Sequence, residues 1–354
     1  MQLLKSRHKQ NRFQSRFQSR FRSMRRGYYA FWVMLLFLFL SFFAEFFINN
    51  RALLVKYEGH YYFPTYGAII PGKVFGMNYD YEADYRELKS KFLEKKSDNY
   101  VILPPIPFNP IENDFREGVF PPEPPSLTSK HYLGTDSSGR DILARLMYGF
   151  RISIAFSLLL MLCNYFIGIS VGSMMGYFGG RCDMLLQRII EIWSNLPFLY
   201  VVIIISSLIR PTFLILAGVM MFFGWMGMTW QIRTAVYKEK CREYALAAKA
   251  IGASDLRIIF FHILPNTASL MITFIPFSIS HGIVALSMLD YLGFGLPPPT
   301  PSWGELLWQG TRNLHASWIS ISVVGAMVLV LTMITFIGEG LREALDPKKY
   351  TFFE

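Results

Sequence analysis

Apolar residues gather into six runs, at about Tyr28 to Ile48, Ile152 to Met175, Ile189 to Ile209, Phe213 to Trp230, Ala268 to Leu289 and Trp318 to Gly338. A helix needs about 20 such residues to cross a bilayer, so the pattern predicts an all-α polytopic membrane protein with six transmembrane helices. Links as short as GGRCDMLLQR and RPT make consecutive spans antiparallel neighbours. The first run is too long for the core of a signal peptide, has no small-residue cleavage site behind it, and is read as a retained anchor.

Between the first two runs the chain turns polar and aromatic, with EGHYYFPTYG, RELKSKFLEKK, ILPPIPFNP and VFPPEPPS in succession. Mixed charge and frequent proline argue against a span or a long helix there and predict a small irregular periplasmic insertion. The expected division is a basic cytoplasmic tail at 1–27, a first transmembrane helix at 28–48 and the insertion at 49–148. A five-helix transmembrane domain follows at 149–346, with a loop at about 239–266, and then a cytoplasmic tail at 347–354. In GISVGSMMG, Gly168, Gly172 and Gly176 recur at every fourth residue and predict close approach to a neighbouring helix.

Composition agrees: 52% of residues are hydrophobic and 17% charged, too apolar for an ordinary soluble domain. The net charge of +10 is concentrated before the first span, from Lys5 and Arg7 to Arg25 and Arg26 with no acid among them. That bias places the N-terminus in the cytoplasm, and six spans return the C-terminus to the same side. The four-residue repeat in RFQSRFQSRFRS suits either a helix on an anionic membrane surface or a solvated basic arm, and orientation alone explains the charge. Nucleic acid is excluded as a partner because no soluble domain carries the basic patch. Cys163, Cys182 and Cys241 form no CxxC pair and no disulfide framework, so neither a metal site nor a cofactor is expected. No GxxxxGK[ST], HExxH or GxSxG motif occurs, and no catalytic residue is assigned.

EYALAAKAIGASDLRIIFFHILPN, residues 243–266, lies between the fourth and fifth runs and carries Lys249, Asp255, Arg257 and His262. Good helix formers reach Ile251, Gly252 suits the left-handed position after a helix end, Ser254 is a candidate N-cap, and Pro265 limits a second short helix. Ala247, Ala248, Gly252, Leu264 and Pro265 resemble the EAA loop of bacterial ABC importer permeases, with Leu246 where that family has Glu and His262 where it has Ile. Glu243, one turn earlier, is a candidate replacement for the acid.

HYLGTDSSGRDILARLMYGFRISI resembles the signature before the second span in the peptide and nickel branch, through Gly134, Thr135, Asp136, Gly139, Arg140 and Asp141. Asp136 and Asp141 with Arg140 and Arg145 are expected to form a local ion-pair network that anchors the loop at the entrance to the span, in which Asp141 and Arg145, four apart on a helix, can pair. LDYLGFGLPPPTPSWGELL and IGEGLREALDPK also resemble that branch, so the likeness extends over most of residues 131–348. The long insertion, its RALLVKYEG opening and EIWSNLPFLYVVIIISS resemble the permease of microcin C-type oligopeptide importers more than the shorter dipeptide permeases.

The resemblance implies a type I permease fold, with Glu243, Leu246, Ala247, Ala248, Gly252, Ala253, Ser254, Asp255, Leu264 and Pro265 forming the coupling segment to the ATPases. It also implies a second permease as heterodimer partner, two ABC ATPase subunits, a periplasmic substrate-binding protein, a peptide substrate and surrounding membrane lipid. Inside the spans, Ser278, Ser280 and His281 are candidates for the translocation path, as is Glu191; the alternatives are an interfacial place for Glu191 and hydrogen bonding within the bundle for His281. A secondary transporter or channel is the alternative and predicts buried charges at midspan, whereas these charges lie at span ends. An anchored signalling or assembly protein leaves the 243–266 segment without a purpose.

Overall fold

The computed structural model describes residues 19–95, 98–116 and 118–345. Most of the expected basic tail and all of the expected tail at 347–354 lie outside them. Helices α1 (Arg25–Phe42) and α2 (Ala44–Phe47) precede the insertion, which holds strands β1 (Leu54–Tyr57), β2 (His60–Tyr62) and β3 (Tyr100–Ile102) and helix α3 (Tyr85–Glu94). The remainder is helical: α4 (Ile142–Phe178), α5 (Gly180–Ser194), α6 (Phe198–Leu208), α7 (Phe213–Glu239), α8 (Glu243–Ala250), α9 (Asp255–Arg257), α10 (Leu264–Tyr291), α11 (Trp303–Arg312) and α12 (Ser317–Leu345).

Among the described residues four helices are long and apolar enough to cross a membrane: α4, α7, the continuous helix Asp255–Tyr291, and α12. α5 and α6 together make a fifth, bent by 65°. The run expected as one straight span at 189–209 is therefore broken. Pro197 is the cause: it has no N–H to continue the α5 ladder and biases Leu196 away from helical geometry. α1 falls outside that set because Arg25 and Arg26 fill its first turn, yet it lies where the first span was expected. Its Met34 packs with Val330 and Ile334 of α12, and Trp32, Leu36 and Phe39 face outward.

The glycine stripe does what its spacing predicts. A Cβ added at Gly168, Gly172 or Gly176 would lie 2.7 Å from Met228 Cβ, Thr229 O or Arg233 O respectively, so α4 and α7 meet nearly backbone to backbone. α10 packs on α4 in the same way, with Gly282 against Ser157.

The insertion is more regular than its prolines predict. Its strands form an antiparallel sheet in the order β2-β1-β3, with Val55 opposite both Tyr62 and Val101. RELKSKFLEKK supplies most of α3, which Asp84 caps by accepting from the backbone N–H of Arg86 and Glu87. Leu88 and Phe92 of α3, Val55 and Val101 of the sheet, and Phe75 close a small apolar core separate from that of the bundle.

Candidate functional site

Two clusters stand at opposite ends of the helices. At the end away from the insertion, α8 finishes with the two bonds of a Schellman turn, Ala253 N–H to Ala248 O at 3.1 Å and Gly252 N–H to Lys249 O at 3.0 Å. Gly252 takes φ +83°, as its position predicts. Ser254 occupies the N-cap position of the next helix, but its hydroxyl makes no capping bond.

That next helix does not stop at Pro265. Residues 258–263 widen into a π-turn, in which Leu264 N–H reaches Ile259 O, and the helix continues to Tyr291 with Pro265 in the first turn of α10. The wide turn gives the proline ring room where a standard turn would clash with it.

Burial divides the hairpin into two faces. Ala245 and Ala248 are buried against Ile232, Val236, Ile258 and Ile263 of their own chain. Leu246, Ile251 and Leu256 are exposed, Ile251 at 86%, together with Glu243, Ala247, Ser254, Asp255 and Pro265; Ala253 and Leu264 are half-buried. The hairpin is tied to the bundle by Tyr177, whose hydroxyl donates to Asp255 Oδ1 at 2.7 Å, and by Lys240, which donates to Tyr177 O at 3.2 Å. Tyr244 donates to Glu239 at 2.6 Å, and burial, then that carboxylate, push its pKa up to about 12.

At the insertion end, the signature residues condense into a buried ion network. Asp136 accepts from Arg140 Nε at 2.7 Å, and Arg140 Nη2 donates to Glu305 Oε1 of α11 at 2.8 Å. Arg145, fully buried, donates to the other Glu305 oxygen, reaches Pro110 O at 3.2 Å and lies 3.5 Å from Asp136. Gln309 donates to Glu305 at 3.0 Å and accepts from the Ser137 hydroxyl at 2.8 Å. The expected Asp141 and Arg145 side-chain pair does not form. Arg145 is drawn to Glu305 from a distant helix, and Asp141 instead caps α4 through Ala144 N–H at 2.7 Å and holds His131. Thr135 accepts from Glu123 N–H at 2.7 Å through its hydroxyl and from the Trp318 indole at 3.3 Å through its carbonyl. Gly134 and Gly139, at φ +79° and +77°, turn the loop around this cluster.

His131 is bracketed by two carboxylates, Nδ1 2.8 Å from Asp141 Oδ2 and Nε2 3.1 Å from Asp114 Oδ2. Ionised carboxylates only accept, so both ring nitrogens are met when both carry protons. Burial opposes that charge, but the two acids outweigh it and hold the imidazole above its ordinary pKa. The hydrogen bond from His131, with help from Arg116, holds Asp114 well below the usual carboxylate range.

A family model for the binding-protein-dependent transport system inner membrane component matches residues 168–349. Over 324 residues the chain is 40% identical to the inner membrane ABC transporter permease protein YejE of Escherichia coli K12, which covers 91% of this chain and 93% of that one. It is 37% identical over 346 residues to the peptidoglycan transport system permease protein YejE of Agrobacterium fabrum, with 91% and 90% covered. It is 36% identical over 245 residues to the dipeptide transport system permease protein DppC of Bacillus subtilis, with 68% and 75% covered. The chain belongs to the peptide-type ABC importer permeases.

The permease is thus a non-catalytic, multi-pass component of the inner membrane. Of its expected path residues, Ser278 and His281 line a recess of about 460 Å³ between α4, α7 and α10, while Ser280 does not. Glu191 pairs with Arg188 at 2.6 Å on α5, away from that recess. Sequence reading missed Asn164 and Gln231, which share the recess, and Glu305, Gln309 and His131 of the permease's ion network. Asn164 and Gln231 are isolated amides within apolar helices, and His131 and Glu305 stand in quoted motifs, whereas Gln309 lies two residues beyond one.

Proposed function

We propose that this permease forms half of the path through which an ATP-driven importer carries oligopeptides and peptide-like compounds, a modified peptide of the microcin C type among them. In this reading both termini are cytoplasmic, 49–148 is periplasmic, and the 149–346 domain pairs with a second permease. A binding protein delivers substrate at the insertion side, and two ATPase subunits sit beneath residues 239–266. Support for the peptide class comes from the dipeptide and peptidoglycan systems named for the relatives.

The observation that carries coupling is the two-faced hairpin. Ala245 and Ala248 seat it on its own bundle, and Leu246, Ile251 and Leu256 point away from it. Each such side chain contributes about 1.5–3 kcal/mol when fully buried, enough together for a partner subunit to grip. ATPase closure then moves the hairpin, and Tyr177, Lys240 and the helix continuous through Pro265 pass the motion to α4, α7 and α10. Leu246 in place of the family's acid makes this grip apolar rather than charged.

Co-purification in mild detergent tests the proposal. The double variant Ile251→Asp, Leu256→Asp should lose the ATPase subunits while remaining membrane-inserted with an unchanged melting temperature. Retention of stoichiometric ATPase by that variant would contradict it.

A further inference from the structure

The recess between α4, α7 and α10 has an unusual lining for the middle of a bundle. Asn164, Tyr165, Gln231, Ser278 and His281 supply hydrogen-bonding groups, and no Asp, Glu, Lys or Arg joins them. Gln231 and His281 are exposed on spanning helices, where polar side chains face a water-filled or protein-lined cavity rather than lipid. The Tyr165 hydroxyl is engaged, donating to Met271 O at 3.2 Å and accepting from Ser278 at 3.4 Å. Asn164 Oδ1 differs: it is closed off from solvent and has no hydrogen-bond partner. A buried acceptor left unmade costs about 1–3 kcal/mol, and because the Asn164 amide lies against Gly224 of α7, a small parting of α4 and α7 would let a donor in the recess remove that cost.

We infer that this recess is a way-station for the backbone of the passing peptide, one that binds amides and is indifferent to side-chain charge. The inference rests on the peptide-import reading. Asn164 accepts a backbone N–H, Gln231 both donates and accepts, and a volume of about 460 Å³ falls within the range of small-ligand sites. Because no fixed charge lines the recess, neither an acidic nor a basic side chain is held back by an opposite partner or expelled by a like one. Binding stays shallow enough for release, and discrimination among peptides falls to the delivering protein.

Gly227 provides the test, since it lines the recess and an added Cβ there meets nothing within 4 Å. In the complete importer reconstituted with its partners, uptake of Ala-Ala-Ala, Ala-Asp-Ala and Ala-Lys-Ala is compared. The wild type should take up all three at similar rates. Gly227→Asp should lower Ala-Asp-Ala uptake roughly tenfold relative to Ala-Lys-Ala, and Gly227→Lys should reverse the order, a difference of one like-charge contact at low dielectric. Asn164→Leu should lower uptake of all three while binding-protein-stimulated ATPase activity persists. Charge variants that slow the three peptides equally would overturn the inference, as would a photo-cross-linker at position 227 that labels only the partner permease. Failure of the wild type to import any of them would instead bring down the peptide reading itself.

Discussion

The insertion end and the hairpin end of this permease are stabilised by opposite means. At the insertion end, Asp136, Arg140 and Arg145 are packed out of water and, with half-buried Glu305, bind the loop before α4 to α11, so that movement of one element uncovers charge. At the other end the hairpin is seated by Ala245, Ala248, Ile258 and Ile263 and a few hydrogen bonds, with Leu246, Ile251 and Leu256 facing outward. A buried ion network specifies one arrangement and resists sliding, because desolvated charges tolerate no loss of partner. An apolar seat with no buried charge tolerates small displacement. Under the proposed function, the contrast suits a machine fixed at the end that receives its cargo and movable at the end that is driven.

The sharpest way to break this contrast is Arg145→Ala. It leaves Arg140 alone to hold Glu305 and Asp136, and breaking the fully buried Arg145 pair is expected to cost about 3–5 kcal/mol, seen as the largest fall in detergent melting temperature among these variants. His131→Gln removes the cation between Asp114 and Asp141 and should cost about 1.5–3 kcal/mol. Its effect depends on pH. His131 has its pKa raised by folding, so its contribution is fully present below the ordinary histidine value of about 6.5 and fades as pH rises through the folded value. Asp114, held low, contributes above the ordinary carboxylate value of about 3.9, and that contribution is lost on acidification. Melts in alkaline buffer should therefore bring wild type and His131→Gln together; a constant gap would refute the charged bracket.

At the hairpin, Ala248→Arg forces a long cation between α8 and Val236. About 1–3 kcal/mol of overpacking should appear as lost peptide uptake more than as lost melting temperature. Gly252→Ala is the mildest, about 1–2 kcal/mol for a left-handed alanine, and should lower uptake with little change in melting. If it melts the protein as Arg145→Ala does, the two ends are not mechanically distinct.

Features set by local pattern were legible in the sequence: the apolar runs, the glycine stripe, and the bend at Gly252. Features decided by long-range partners were not. Arg145 has an acid four residues before it on paper, yet its carboxylate comes from residue 305. Pro197 lies within an apolar stretch that reads as one span until the missing N–H is counted, and Pro265 reads as a stop until the π-turn before it is known. The resemblance puts Ala247 and Ala248 together in the coupling segment, whereas burial divides them, Ala248 inward and Ala247 outward.

Which face of the hairpin meets the ATPase is the most direct test of the account. In the complete importer carrying Cys241→Ser, a thiol cross-linker should join Ile251→Cys to an ATPase subunit and leave Ala248→Cys unreacted. Cross-linking through position 248 and none through 251 would contradict it.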